Sequence, residues 1–137
     1  MAGYSGTPLI RKLGIKPGDQ LMVINEPTAY WKWISPLPEG VTTKSKPGAH
    51  PIDFIHLFVT EKKVYEKEVL RLKKSMKQDG MIWISWPKKS SGVLSDMDEN
   101  IVRNFALNNG LVDIKVCAVD EVWSGLKLVI PVKDRRK

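Results

Sequence analysis

The run Ile52-Asp53-Phe54-Ile55-His56-Leu57-Phe58-Val59 is nearly all apolar, which is typical of a central parallel strand covered on both faces. An amphipathic helix is predicted after it, because Thr60 is a suitable cap and apolar residues then recur at steps of four, three and four. Those residues are Tyr65, Val69, Leu72 and Met76. Asp79-Gly80 stops the predicted helix, and a second apolar strand follows over residues 81–86. A strand, a helix and a strand in this order favour a parallel sheet.

The amino-terminal part of the chain shows the same alternation. A short helix is predicted to begin at Thr7, its cap, with Pro8 in the first helical position. The apolar run from Gln20 to Ile24 is bounded by turn residues and predicts a buried strand. Residues 35–51 are rich in proline and predict a loop, with at most a short strand from Val41 to Lys44.

The carboxyl-terminal part predicts a helix followed by a hairpin. Either Ser95 or Asp96 is able to cap the helix, and Gly110 follows it as a stop. Residues 111–119 and 122–132 are predicted to form two antiparallel strands. The full order of elements predicts an α/β fold. We expect a three-layer Rossmann-like sandwich whose mostly parallel sheet has about six strands and ends in the antiparallel hairpin.

Length and charge limit both the architecture and the partners. With 137 residues, the chain suits a single domain over 1–137 that ends in a charged tail at 133–137. The 22 Lys and Arg residues exceed the 15 Asp and Glu residues and give a net charge of +7. This excess favours anionic partners without identifying one.

The cysteine and histidine content argues against metal and disulfide chemistry. One cysteine excludes an intrachain disulfide, and two histidines are too few for a histidine-rich zinc site, so no metal is expected. The first residues lack the features of a signal peptide, and no segment has the roughly 18 uninterrupted apolar residues of a membrane span. We therefore expect a cytoplasmic protein with no membrane partner.

Residues 9–24, 52–86 and 108–116 form three segments that together resemble class I S-adenosylmethionine-dependent methyltransferases. Residues 9–24 resemble the first helix, the Lys-Pro-Gly turn and the first strand of that fold. Residues 52–86 resemble its second half, and residues 108–116 resemble the start of its terminal antiparallel pair. Three shorter runs also look like a family of small bacterial proteins of unknown function, and they span residues 3–9, 85–93 and 115–126. The resemblance implies a methyltransferase-like fold.

The sequence departs from that family where the cofactor would bind. Methyltransferases of this class follow the first strand with a glycine-rich turn, because a side chain there would block close approach to the cofactor. This chain has Asn25-Glu26-Pro27-Thr28 instead. The acid that closes the next strand has no clear equivalent in the basic stretch from Val41 to Lys46. We therefore predict no cofactor, with S-adenosylmethionine in an altered pose as the alternative.

The candidate ligand-binding residues follow the strands, because open α/β sheets bind ligands at the carboxyl ends of their strands. The loop after residue 86 combines two cations and two hydroxyls, a composition that suits an anion, although a solvated loop is the simpler interpretation. We expect this loop to face the turn at Asn25 if their strands adjoin, as the resemblance implies. No catalytic residue is predicted. The candidates are Asn25, Glu26, Thr60, Trp86, Lys88, Lys89, Ser90 and Ser91.

These observations favour a methyltransferase-like domain without enzymatic activity that binds an unknown protein or a small anionic ligand at the strand ends. One alternative is an S-adenosylmethionine-dependent methyltransferase with an altered cofactor loop. Another is a basic nucleic-acid-binding module, since lysines cover one helix face between Lys62 and Lys77, although a solvated helix face is the simpler interpretation. His56 lies in an apolar strand and is predicted to be a hydrogen-bonded core residue. Cys117 is predicted to be a small core residue.

Overall fold

The computed structural model describes residues 8–46, 48 and 50–136. Within these residues, six strands form one sheet, and four α-helices flank it. The strands are β1 (Gln20–Ile24), β2 (Thr42–Lys44), β3 (Ile52–Phe58), β4 (Met76–Pro87), β5 (Val112–Ala118) and β6 (Trp123–Val129). The helices are α1 (Leu9–Leu13), α2 (Tyr30–Trp33), α3 (Lys62–Lys73) and α4 (Glu99–Leu107). Nowhere in this part of the chain is a helix long and apolar enough to cross a membrane.

The strand order is β2-β1-β3-β4-β6-β5, and it confirms the predicted fold class. β1 is parallel to β2 and β3, and β3 is parallel to β4. β6 is antiparallel to both β4 and β5, as predicted for the terminal hairpin. The turn of this hairpin is held by Asp120, whose Oδ1 accepts hydrogen bonds from the backbone N–H groups of Val122 and Trp123 at 2.9 and 2.7 Å.

The core is divided between the two faces of the sheet. Side chains alternate along β3, so that Ile55 packs with residues of α3 and α4 on one face, whereas Phe54 packs with residues of α1 and α2 on the other. Tyr65 of α3 and Tyr30 of α2 are fully buried on opposite faces. Because each large apolar side chain contributes about 1.5–3 kcal/mol when buried, both helical layers are needed for stability.

α3 is shorter than the sequence pattern predicts. The helix ends at Lys73, and Met76 begins β4 instead of completing the apolar stripe of the helix. The backbone N–H of Ile52 donates to the carbonyl of Ser75 at 2.8 Å, so the chain joins the sheet at this point. The Asp79-Gly80 pair is therefore not a helix stop but lies within β4, where a Cβ at position 80 would approach two carbonyl oxygens of β3 to 3.0 Å.

The amino terminus of α3 is capped from another part of the chain. Thr60 was predicted as the cap, but Glu61 occupies the N-cap position and makes no capping hydrogen bond. Asp96 supplies the missing acceptor, because its Oδ1 receives the backbone N–H of Lys62 at 2.7 Å. The Ser95 hydroxyl fixes this loop by donating to the carbonyl of Thr60 at 2.7 Å. A carboxylate at this end of a helix also complements the helix dipole.

The N-cap residues of α1 and α4 also differ from those predicted. Asp98 caps α4, since its Oδ1 accepts the backbone N–H three residues later at 2.8 Å. The prediction of Ser95 or Asp96 as this cap is wrong, because both belong to the loop that closes α3. Pro8 occupies the N-cap position of α1 rather than the first helical position. The predicted cap Thr7 lies outside the described residues.

Candidate functional site

The strand order changes direction at β1. The chain passes from β1 to β2 on one side and returns to β3 on the other side. In open α/β sheets, such a reversal leaves a crevice outside the carboxyl ends of the strands, and ligands bind there. The site to consider first therefore lies beyond Ile24 at the end of β1 and Phe58 at the end of β3.

A hollow of about 260 Å³ lies at this reversal and is called here the switch-point hollow. Two of the predicted site residues, Asn25 and Thr60, line it together. Glu61 adds a carboxylate, and Trp123 at the start of β6 adds an aromatic wall. The remaining lining residues are Phe58, Val59 and Val64. The hollow thus combines an amide, a hydroxyl and a carboxylate with an apolar wall, so it suits a ligand that has polar groups at one end.

Sequence reasoning identifies Glu61 only as a strand-end position and does not identify Trp123 at all. Glu61 follows Thr60 directly, so the strand-end argument applies to it as well, although it is not among the eight candidate residues. Trp123 could not be found in this way, because it begins a strand that runs antiparallel to its neighbour β4. Only that antiparallel pairing brings the start of β6 to the edge where the parallel strands end, with Trp123 opposite Pro87.

The turn after β1 is built from residues with side chains. Asn25 has a φ of 60°, in the left-handed region that asparagine tolerates better than most residues. Glu26, a predicted site residue, is used inside the turn, because its Oε2 accepts a hydrogen bond from the indole N–H of Trp31 at 3.0 Å. Burial raises the pKa of the Tyr30 hydroxyl, and the negative charge of Glu26 raises this pKa further. This carboxylate therefore anchors α2 and does not line the switch-point hollow.

The predicted site loop after β4 lies elsewhere. The expectation that the strands before Asn25 and Lys88 adjoin is wrong, because β3 lies between β1 and β4. Lys88 Nζ donates to the carbonyl of Asp120 at 2.8 Å, and the Ser91 hydroxyl donates to the carbonyl of Lys88 at 2.6 Å. Lys88 and Ser91 therefore hold the loop and the adjoining hairpin together.

The other three candidates from residues 86–91 differ in exposure, and Trp86 lies in β4 rather than in the loop. Trp86 is buried in the core, Lys89 and Ser90 are exposed, and a short 3₁₀ helix spans Lys89–Ser91. Among the described residues that line the switch-point hollow, none comes from 86–91. Binding of an anion by this loop therefore stays a prediction, separate from the hollow.

His56 has the core role predicted for it. Its ring is fully buried, with Nδ1 2.9 Å from the Tyr30 hydroxyl and Nε2 2.8 Å from the Ser85 hydroxyl. The ring stacks on Phe58 with 4.4 Å between centroids. Burial lowers the pKa of His56 from its ordinary value of 6.5 to about 3, so the ring is neutral at physiological pH. Because no solvent reaches it, this imidazole does not contribute to a surface site.

The basic face of α3 is partly neutralised by acids. Arg71 forms a 2.7 Å ion pair with Glu68, and Lys77, just after the helix, forms a 2.9 Å ion pair with Asp53. Trp83 is fully buried and is not free to stack on bases. The nucleic-acid alternative stays a prediction, and this helix face gives it little support.

The residues after β1 do not fit S-adenosylmethionine in the pose that the resemblance implied. Sites for drug-sized ligands occupy about 300–1,000 Å³, and the switch-point hollow is smaller than this range, at about 260 Å³. Asn25 also lines the hollow, and it stands at the turn where a glycine would let the cofactor approach the backbone. At the end of β2, Lys44 is exposed and no acid follows it before Lys46.

Solved structures with a similar arrangement of strands and helices include several methyltransferases. A SAM-dependent methyltransferase from Aquifex aeolicus is similar over 89% of this chain and 87% of its own, with a TM-score of 0.61 and 16% identity. The chain has a methyltransferase-like fold. A ribosomal protein L11 methylase from Lactobacillus delbrueckii subsp. bulgaricus is similar over 89% of this chain and 74% of its own, with a TM-score of 0.60 and 9% identity.

A third similar structure was solved with a cofactor present. It is magnesium protoporphyrin IX methyltransferase from Synechocystis PCC 6803 with bound SAM, similar over 88% of this chain and 74% of its own, with a TM-score of 0.56 and 8% identity. No protein-family model matches the chain, and no curated protein matches it either. At identities this low, the methyltransferase-like domain shares the fold with these enzymes, and its activity is a separate question.

Proposed function

We propose that this methyltransferase-like domain binds a small ligand, or a small group on a protein partner, in the switch-point hollow and transfers no methyl group. The observation that carries the proposal is that the turn after β1 is built from residues with side chains instead of glycines. Asn25, a residue with a side chain, lines the hollow, and Glu26 is hydrogen-bonded to Trp31. The fold thus retains the crevice at the strand reversal while its first turn lacks the open backbone of a cofactor site.

The lining of the hollow suggests what the ligand presents. The Glu61 carboxylate and the Asn25 amide oxygen accept hydrogen bonds, so a ligand with an amine or amide donor suits this end of the hollow. Phe58 and Trp123 provide an apolar wall for the rest of the ligand. A small anionic ligand is less favourable here, because the described lining residues include one carboxylate and no cation. The anionic ligand remains a proposal for the loop at Lys88 and Lys89.

The second candidate function is S-adenosylmethionine-dependent methyl transfer with the cofactor in an altered pose. The observation that favours it is the similarity in fold to methyltransferases, which extends over most of this chain. Membership of a family of small bacterial proteins and a cytoplasmic location stay predictions alongside either function.

Calorimetry with S-adenosylmethionine and S-adenosylhomocysteine tests the two candidates directly. We expect neither to bind with a Kd below about 1 mM, which corresponds to a binding free energy weaker than about −4 kcal/mol. Micromolar binding of either compound would overturn the proposal in favour of the methyltransferase alternative.

A fragment screen by NMR tests where the ligand binds. Small amines and amides that bind are expected to shift the backbone signals of Asn25, Thr60 and Glu61. The variant Glu61→Gln is expected to weaken binding of amines about tenfold, the equivalent of one hydrogen bond to a charged group. Glu39→Gln is the matched control, because Glu39 is exposed in the proline-rich loop and is not among the described residues that line the hollow. Equal weakening by both variants, or binding shifts confined to other residues, would contradict this site.

A further inference from the structure

Two lysines form a cross-strand pair at the edge of the sheet, near α1. Lys115 of β5 and Lys127 of β6 are directly opposite each other in the antiparallel register. Like charges in such a cross-strand pair destabilise a sheet. Neither side chain forms an ion pair with any described residue, although ion pairs of 2.9 Å or less occur elsewhere on the surface. The fold therefore tolerates an unfavourable pair of charges at this position.

Both ammonium groups point toward the carboxyl end of α1. Lys115 Nζ donates to the carbonyl of Lys12 at 2.8 Å. Lys127 Nζ lies beside Gly14, 3.7 Å from the position that a Cβ would occupy there. Lys16 follows two residues later and brings a third ammonium group close enough to act on Lys127. Two lysines from neighbouring strands thus converge on the carboxyl end of α1, and the charge of Lys16 acts on one of them.

No Asp or Glu of the described residues forms an ion pair with an ammonium group of this cluster of three lysines. Lys127 is half-buried, and its burial, together with the charges of Lys115 and Lys16, lowers the pKa of its ammonium group. The carboxylate nearest to Lys115 in sequence, Asp113, forms a 2.9 Å ion pair with Arg103. Asp19, three residues after Lys16, accepts the backbone N–H of Lys16 at 2.9 Å, and its charge also acts on Lys77. Residues 1–7, 47, 49 and 137, which lie outside the described part, include no Asp or Glu.

We propose that Lys127, Lys115 and Lys16 form a binding site for a phosphate group, which supplies the negative charge that the fold itself does not provide. Lysine ammonium groups bind phosphate as point charges, and a half-buried site strengthens the attraction relative to bulk water. This site is separate from the switch-point hollow, because Lys127 is opposite Trp83 in the register, several residues from the carboxyl end of β4. The phosphate could belong to a small phosphorylated molecule or to a nucleic-acid backbone, and the experiment separates these sources.

The test measures binding and thermal stability at low ionic strength, where such contacts are strongest. Pyrophosphate is the first probe, and a single-stranded DNA 10-mer is the second. We expect pyrophosphate to bind the wild-type protein and to raise its Tm. Lys127→Gln is expected to weaken this binding about tenfold or more, since one charge-assisted contact is lost. Lys63→Gln is the control, because Lys63 is exposed on α3 and the substitution changes the net charge equally.

The stability of the ligand-free variants separates a binding role from a structural one. We expect Lys127→Gln to leave the Tm unchanged or to raise it, because it removes one member of a repulsive pair. A variant that lowers the Tm and leaves anion binding intact would overturn the proposal. Equal loss of binding in Lys127→Gln and Lys63→Gln would also overturn it, and so would the absence of binding by both probes. Binding of the DNA alone, dependent on Lys127, would support the site and identify a nucleic-acid backbone as the source of the phosphate.

Discussion

The buried His56 makes a sharp prediction about pH. The folded protein holds the ring neutral, with a pKa of about 3, whereas an unfolded chain has the ordinary value of 6.5. Between these two values the unfolded state binds one more proton than the folded state, so stability falls as the pH is lowered. The loss approaches about 1.4 kcal/mol for each pH unit in this window.

The size of the effect follows from these two pKa values. Lowering the pH from 7 to 5 is expected to cost about 2 kcal/mol through His56 alone, and lowering it to 4 about 3 kcal/mol. Stability therefore decreases as the pH drops below 6.5, and the loss levels off near pH 3, where the folded state begins to take up the proton. The interval from pH 7 to 5 is the cleanest to measure, because most carboxylates stay ionised there.

Urea unfolding at pH 7, 6 and 5 checks this prediction, with His56→Gln as the comparison. Glutamine retains a donor and an acceptor toward Tyr30 and Ser85 but does not titrate. We expect this variant to be about 2–4 kcal/mol less stable at pH 7, because it loses the ring stacked on Phe58 and part of the packing around it. Its stability should then change little between pH 7 and 5. Parallel pH curves for the wild type and the variant over this interval would refute the reasoning.

Two further substitutions test how the helical layers are attached to each other and to the sheet. Trp83→Phe is expected to destabilise the fold by about 2–4 kcal/mol in urea unfolding, because it removes the 2.8 Å hydrogen bond from the indole N–H to the carbonyl of Leu13 and leaves a cavity under α1. Tyr65→Phe removes the 2.7 Å hydrogen bond to the carbonyl of Val102, which joins α3 to α4, and is expected to cost about 1–2 kcal/mol. A loss below about 0.5 kcal/mol in either variant would contradict the assigned contact.

The fold class and the main elements follow from local patterns in the sequence. The apolar run of β3 and the breakers around β1 are local signals of buried strands, and the core role of His56 follows from its apolar neighbours. These features depend on the periodicity of one segment at a time, so they are visible without knowledge of the other segments. The same holds for the terminal hairpin of β5 and β6.

Features that join distant segments are visible only in the folded structure. The cap of α3 comes from Asp96, 34 positions along the chain from the N–H that it receives, and no local pattern specifies such a pairing. Met76 belongs to β4 and not to α3, because the carbonyl of the preceding Ser75 accepts a hydrogen bond from Ile52 of β3. This contact outweighs the helical periodicity of the apolar residues. The switch-point hollow depends on β3 lying between β1 and β4 and on the antiparallel β6 that delivers Trp123. Strand order is a property of the whole sheet, because it follows from which buried faces pack together rather than from the residues of any single strand.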